Sequence, residues 1–419
     1  MSSKAFFLFV FTLSLILIFR IFFYFHHGQN LSDGQEVSFT TTLLSEPKIF
    51  SNYQVFTATY GNFFSGTKVF VSVPNDLALH YGHTVTISGT INVKVLNNKN
   101  IAYTVYSSHI EATKNKQNIA LALIYFIRQK IISLYQNCLP ATSSALLLGI
   151  VFGIKTTMSN QFTSDLQATG FLHVIAASGM NVTMVSAFLL SLFGFFTRRQ
   201  FAIFLSMLGI VFYCIFSGLE PSILRAGIMS IMLLAGQLFG RQYSASYAIF
   251  LAGFFMLFYD PSLILDVGFQ LSFCSTLGLL YLRPLVPLKN IFGEDITTTI
   301  AAQIATLPIL LGAFGTYGIT SVLVNALVLW TIPPLMILGG LGGLIGLVIP
   351  VLGNLFLLFA IPLLWYFEVI VTWFGNLHIT LAFSSMPVEI VIGYYLLLIA
   401  GVFFVQQSFK HRFKENSIV

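Results

Sequence analysis

Charged side chains are scarce in this chain of 419 residues, since Asp, Glu, Lys and Arg together make up 8% of it. A soluble domain of ordinary composition carries about 25% charged residues. Hydrophobic residues make up 56% of the chain and occur in long runs. This composition excludes a soluble protein and predicts a polytopic α-helical membrane protein. The formal net charge of +6 comes from thinly spread Lys and Arg residues, which favours a topology signal over a nucleic-acid-binding patch.

Cysteine is also rare, with only Cys138, Cys214 and Cys274, all in or beside apolar segments and far apart. That spacing excludes a disulfide framework and a zinc motif. The sequence has no H-E-x-x-H motif, no P-loop and no G-x-S-x-G elbow. We therefore predict no metal, no cofactor and no catalytic residue. An intramembrane hydrolase that uses Ser178 is the least favoured of three functional hypotheses for this chain.

The N-terminal segment contains Lys4 followed by about twenty apolar residues. This run is longer than the core of a signal peptide, and no small-residue cleavage site follows it. Residues 1–27 are therefore predicted to form a retained first transmembrane helix with its N-terminus in the cytoplasm.

Residues 28–117 differ in composition from the rest of the chain. They hold stretches in which apolar and polar side chains alternate, such as TKVFVSV and HTVTISGTINV, with turn residues between them. Five such strands over about ninety residues are typical of a small Greek-key barrel. We predict an extracytoplasmic OB-like β-barrel domain here.

Two further regions complete the predicted organisation. Residues 118–170 combine an interfacial amphipathic helix with an apolar stretch, 141–154, whose length suits a re-entrant or broken segment. Residues 171–408 form the predicted transmembrane bundle, and 409–419 form a cytoplasmic tail whose basic residues place the C-terminus inside. The predicted spans are 171–196, 200–217, 222–240, 245–259, 266–282, 296–315, 320–349, 353–374 and 389–406.

Polar side chains interrupt several of these spans, where they are costly unless protein or water surrounds them. The most informative motif is HVIAASGMNVTMV, residues 173–185. Others are PSILRAGIMS, DPSLILDVGFQLSF and AAQIATLPILLGAFGTYG. Their polar members are our candidates for lining a pore or substrate path: His173, Ser178, Asn181, Thr183, Arg225, Asp266, Gln270, Ser272 and Gln303.

Each of these side chains has an alternative role as a contact between helices, worth less than about 1–2 kcal/mol. The charged ones need partners at bilayer depth. The predicted topology brings Arg225 and Asp266 to the outer end of the bundle. We therefore hypothesise an ion pair between them, with Glu220 as a competing partner. Such a pair would serve either as a structural clamp or as a contact to substrate.

Three of these motifs resemble those of the ComEC family of competence proteins. The family motif H-L-L-A-I-S-G-L-H corresponds to HVIAASGMN at 173–181, P-S-x-x-R-A to PSILRA at 221–226, and D-P-x-x-x-x-D-x-G-F-Q-L-S-F to 260–273. The resemblance covers nearly the whole chain and is most specific in DVGFQLSF. One departure is Asn181, which stands where the family has a second His; an Asn side chain still donates and accepts hydrogen bonds.

The resemblance implies a channel in the cell membrane that moves single-stranded DNA into the cytoplasm during natural transformation. Besides the DNA and the lipid bilayer, the implied partners are a DNA receptor and a cytoplasmic helicase-like motor. Many family members continue into a metallo-β-lactamase-like domain that is thought to degrade one DNA strand. This sequence carries no H-x-H-x-D-H motif, so we expect no enzymatic activity and a separate nuclease.

The OB-like domain would receive single strands by stacking bases on aromatic side chains. The stacking candidates are Tyr53, Phe56, Phe63, Phe64 and Phe70. Aromatic rings also fill barrel cores, so the alternative for each of these residues is that its side chain is buried in the core of the domain. The alternative function for the whole chain is a transporter for a small solute or lipid, built on the same helical bundle.

Overall fold

A computed structural model describes residues 3–27, 31–43, 48–49, 53–61, 66–74, 79, 84–96, 100–112, 119–154, 156, 158–171, 179–285, 291–318, 320–377, 380–382 and 387–415. The chain divides into two compact units. One consists of Met1–Ile132 with Phe254–Leu263, and the other of Ser133–Gly253 with Ile264–Val419.

The first unit contains an apolar helix and a six-stranded sheet. Helix α1, Ser3–His27, corresponds to the predicted first span, and its segment Leu8–His26 is long and apolar enough to cross a membrane. The strands are β1 (Glu36–Thr42), β2 (Lys48–Ile49), β3 (Tyr53–Tyr60), β4 (Thr67–Pro74), β5 (Thr84–Leu96) and β6 (Asn100–Ala112).

The sheet has the strand order β1-β5-β6-β4-β3-β2. Neighbouring strands are antiparallel, except that β4 and β6 are parallel. Without the two-residue β2, the long strands follow the order first, fourth, fifth, third, second. An OB fold has this order, with its third and fifth strands parallel. The OB-like fold predicted for this part of the chain is therefore confirmed.

Alternate side chains of the strands fill one apolar core. Phe56 on β3 belongs to it and is 3% exposed. The prediction that Phe56 stacks on bases is therefore wrong, because a ring enclosed by the sheet presents no face to a ligand. Tyr53 on β3 and Phe70 on β4 point outward, with 44% and 43% of their surface exposed. Phe63 and Phe64 lie outside the described residues.

Two polar contacts hold the segment Phe254–Leu263 to the rest of the first unit. The Lys68 ammonium on β4 forms an ion pair of 2.8 Å with the Asp260 carboxylate. The Arg20 Nε on α1 donates a hydrogen bond of 3.2 Å to the Phe258 carbonyl. The basic side chain inside the first span thus has a defined structural partner.

The described part of the second unit is mostly helical. Its helices are α2 (Ile119–Cys138) and α8 (Ala245–Tyr259), both shared with the first unit, and α3 (Ala141–Phe152), α4 (Asn160–Ala168), α5 (Gly179–Phe196), α6 (Arg199–Phe216), α7 (Pro221–Leu238), α9 (Val267–Tyr281), α10 (Ile291–Phe314), α11 (Ser321–Val328), α12 (Ile332–Gly346), α13 (Pro350–Asn376) and α14 (Val388–Glu415). Short 3₁₀ turns cover Pro261–Leu265, Arg283–Leu285 and Leu329–Thr331. Strands β7 (Thr316–Gly318) and β8 (Thr380–Ala382) form an antiparallel pair.

Long apolar helices coincide with the predicted spans. Among the described residues, five segments besides α1 are long and apolar enough to cross a membrane: Gly179–Phe196, Arg199–Phe216, Pro221–Leu238, Ser321–Gly346 and Pro350–Asn376. Shorter apolar helices occupy Ala141–Phe152, Ala245–Tyr259, Thr297–Ala313 and Glu389–Val405. Such a set of helices confirms the polytopic membrane protein.

Helix α3 is short and enclosed by protein. Ten of its 12 residues are buried. Its length of about 18 Å is well below the roughly 30 Å of a bilayer's hydrocarbon core, so it does not cross alone. Glycines of α12 let the neighbouring helices approach closely: a Cβ on Gly339 would lie 2.7 Å from the Val151 side chain, and one on Gly342 would lie 2.8 Å from the Leu357 side chain. The glycine-rich run of α12 therefore serves helix packing.

Candidate functional site

The C-terminal end of α3 is buried, and its backbone carbonyls need hydrogen-bond donors from elsewhere. The Asn181 amide nitrogen on α5 donates a bond of 2.6 Å to the Ile150 carbonyl. The Tyr213 hydroxyl on α6 donates one of 2.9 Å to the Val151 carbonyl. Asn181 is 1% exposed and Tyr213 is 7% exposed. These side chains cap the end of α3 and fix α5 and α6 against it.

The N-terminal end of α3 meets an acidic side chain. The Ser143 hydroxyl donates a hydrogen bond of 2.6 Å to the carboxylate of Glu368 on α13. A negative charge beside the first turn of a helix is favoured by the helix dipole. Both ends of α3 are thus held by polar groups from the surrounding helices.

Arg225 lies in the second turn of α7 and is only 8% exposed. Its guanidinium packs against the first residue of α5, since a Cβ on Gly179 would lie 2.6 Å from the Arg225 Nη2 atom. Its Nε has no hydrogen-bond partner, and it forms no ion pair with any residue that the structure describes. A buried guanidinium without a counter-ion carries a large desolvation penalty.

The hypothesised ion pair between Arg225 and Asp266 is therefore wrong. The Asp266 carboxylate instead accepts a hydrogen bond of 2.8 Å from the Phe269 backbone N–H and caps the start of α9. Asp is among the most favoured N-cap residues because this local bond satisfies a free backbone donor. Its side chain is exposed, so water also stabilises its charge without help from Arg225.

The remaining candidates mostly have local partners. The Gln270 amide donates a bond of 2.8 Å to the Ile264 carbonyl, and the Thr183 hydroxyl donates one of 2.7 Å to the Met180 carbonyl. The Gln303 amide on α10 donates one of 2.9 Å to the Ser321 hydroxyl on α11 and links the two helices.

Three candidates remain after these. Ser272 on α9 is buried, and its hydroxyl has no hydrogen-bond partner among the described residues. His173 and Ser178 lie outside the described residues.

The structure brings the PSILRA motif and the start of α5 into direct contact. Helices α5, α6 and α7 share one apolar core, and α9, which carries Ser272, packs against α7. Arg225 and Gly179 meet at this junction, and Asn181 lies two residues further along α5.

Sequence reasoning missed the roles of Tyr213, Gly179 and Glu368. Glu368 had a usable signal, since it is the lone charged residue in the apolar stretch 350–376. Gly179 stands in a polar motif, but only the structure shows that Arg225 fills the space beside it. Nothing in the pattern around Tyr213 distinguishes it from an apolar helix residue.

Comparisons with known proteins agree with the motifs. The sequence model of the family described as "Competence protein" matches residues 150–408. The chain is 28% identical over 262 residues to "ComE operon protein 3" of Bacillus subtilis (strain 168), a match that covers 61% of this chain and 32% of that protein. It is 24% identical over 306 residues to an uncharacterized protein of Aquifex aeolicus (strain VF5), covering 67% of this chain and 69% of that protein.

The chain thus matches about a third of the length of ComE operon protein 3. No solved structure is significantly similar to it. The family match covers more than half of the chain and includes the helices that carry Asn181, Arg225 and Ser272. On this evidence, the chain belongs to the competence protein family.

Proposed function

We propose that this protein is a channel in the cell membrane that translocates single-stranded DNA into the cytoplasm during natural transformation. The observation that carries the proposal is the family match, which extends from α4 to α13 and over most of α14, the body of the helical unit. Competence is the uptake of DNA, and a membrane-spanning member of the family is suited to the step at the membrane.

The physical demands of such a channel agree with the composition of the helical unit. A single strand carries one negative charge per nucleotide, so a path rich in cations would trap it. The second unit instead offers the buried Ser272 hydroxyl, the half-buried Gln303 amide and the buried Arg225 guanidinium, which forms no ion pair with any described residue. We propose that these residues line or border the path, together with His173, Ser178 and Thr183.

The OB-like domain is the proposed receiver of the strand. OB folds bind oligonucleotides on the outer face of their second and third strands, here β3 and β4. Tyr53 and Phe70 present exposed rings on these two strands. Base stacking on such rings is sequence-tolerant, as uptake of arbitrary DNA requires. We place this domain outside the cytoplasm and both termini inside.

The same proposal assigns the remaining tasks to partners. A DNA receptor delivers the duplex, a separate nuclease removes one strand, and a cytoplasmic helicase-like motor supplies the energy. This chain then conducts the strand without cutting it.

The test is uptake of DNA by cells from which the gene has been deleted. Duplex labelled on each strand in turn is offered, and label protected from external nuclease is counted in the cytoplasm. The proposal predicts that one labelled strand reaches the cytoplasm of wild-type cells and that neither does in the deletion, while surface binding of duplex persists. Normal internalisation in the deletion would refute it and favour the small-solute or lipid transporter.

A further inference from the structure

Arg225 carries a buried charge and lacks the hydrogen-bond partners that are found at the two ends of α3. At those ends, Asn181, Tyr213 and Ser143 all have hydrogen-bond partners. The Arg225 Nε has none, and no described carboxylate neutralises the guanidinium, although the side chain is 8% exposed. Charged side chains within membrane segments mark functional sites unless a partner explains them.

The guanidinium lies at the beginning of a helix. Its Nη2 occupies the space beside Gly179, the first residue of the 18-residue helix α5. The N-terminal end of a helix carries a partial positive charge because its first backbone N–H groups lack partners within the helix. The guanidinium and the positive end of a helix therefore lie side by side with no described anion beside them, and an anion from outside the chain would complete the arrangement.

This junction is open on one side. Gly179 is partly exposed, Met180 is 38% exposed, and Thr183 on the next turn is exposed as well. The surface of α5 next to the guanidinium is therefore accessible to a ligand. The missing side chain at Gly179 leaves the guanidinium room to reach that surface, since a Cβ there would collide with Nη2 at 2.6 Å.

We infer that Arg225 and the N-terminal end of α5 form a binding site for one phosphodiester group of a single-stranded nucleic acid. The inference rests on the proposed function and names the group that the strand presents to this site. A guanidinium donates two parallel hydrogen bonds to two phosphate oxygens, and the helix dipole favours the same charge. A single such site holds each phosphate in turn without trapping the strand at many points.

The direct test is equilibrium binding by the purified full chain in maltoside micelles, which contain no phosphate. A fluorescent 20-mer of deoxythymidine is the probe, measured by anisotropy at several salt concentrations. Arg225→Gln is expected to weaken binding about tenfold or more, as for loss of charge-assisted hydrogen bonds. It is also expected to lower the slope of log affinity against log salt by about 0.7, the value for one phosphate on a single strand.

Arg199→Gln is the matched control, because it removes the same charge from an exposed position at the start of α6. It is expected to change affinity less than twofold. Gly179→Ala keeps every charge but displaces the guanidinium, so it should weaken binding between these limits. A methylphosphonate 20-mer, which lacks backbone charge, should bind the wild type and Arg225→Gln equally.

Equal affinity of Arg225→Gln and Arg199→Gln for the charged 20-mer, with both variants monodisperse and equally heat-stable, would overturn the inference. So would loss of co-purified phospholipid from Arg225→Gln with DNA affinity intact, since the site would then hold a lipid headgroup. Should Arg225→Gln fail to fold, Gly179→Ala and the salt slope decide the matter. Either negative result leaves the deletion experiment on uptake unaffected, so the two proposals fail separately.

Discussion

The C-terminal end of α3 and the junction between Arg225 and Gly179 lie in the same helical unit. Their buried polar groups differ in whether they have hydrogen-bond partners. At the end of α3, donors from two other helices reach the Ile150 and Val151 carbonyls. At the junction, a guanidinium is buried and no described group pairs with it. Satisfied groups stabilise the fold. The unsatisfied one is kept at a cost in stability, which is expected where function requires it.

The largest expected change in stability concerns the OB-like domain, where a buried and an exposed ring can be compared in the same way. Phe56 points inward and Tyr53 points outward. Phe56→Ala removes a ring from the core and should lower the free energy of unfolding of the domain by about 3–5 kcal/mol. Tyr53→Ala should leave it within about 0.5 kcal/mol of the wild type. Denaturant unfolding of the full chain, followed by a fluorophore placed in the domain, measures both. A comparable loss in Tyr53→Ala would contradict the assigned faces.

The next effect tests the end of α3. Asn181→Leu leaves the Ile150 carbonyl buried without its donor and should lower the free energy of unfolding by about 1–3 kcal/mol. Asn181→His is the matched control, because an imidazole keeps a donor at this position. Titration with a denaturing detergent provides the measurement. If Asn181→Leu is as stable as the wild type but stops DNA uptake, Asn181 belongs to the path rather than to the fold.

A smaller effect is expected at the other end of α3. Glu368→Gln keeps an oxygen that accepts the Ser143 hydrogen bond, so it should change the free energy of unfolding by less than about 1 kcal/mol. Glu368→Leu leaves the buried Ser143 hydroxyl unpaired and should cost more. A clear loss of DNA uptake in Glu368→Gln at normal stability would show that the charge itself has a role. It would contradict the claim that buried groups with hydrogen-bond partners serve only the fold.

Hydropathy and alternation predicted the elements of this fold well, because long apolar runs and period-two strands follow directly from burial. They could not predict which face of β3 is enclosed. The inward positions include Gln54 and Ala58, so the apolar side of this strand is not obvious from sequence. Phe56 was assigned to the wrong role for that reason.

The site was less predictable than the elements. Arg225 was recognised from its depth in a span, yet its partner was misassigned. Asp266 has a backbone donor three residues away, and this local bond requires no tertiary contact. The closeness of Arg225 to Gly179 depends on how α5 packs against α7, and the spacing of residues along the chain does not predict this packing.

The most direct measurement compares stability and uptake in one variant, Arg225→Met. Replacing a buried charge that pairs with no described residue by an apolar side chain of similar length removes a desolvation penalty. The account predicts that its free energy of unfolding is equal to or above that of the wild type, while DNA uptake per membrane-inserted molecule falls at least about tenfold. A fall in stability of about 1–3 kcal/mol with uptake per folded molecule unchanged would contradict it, since Arg225 would then serve the fold as Asn181 does.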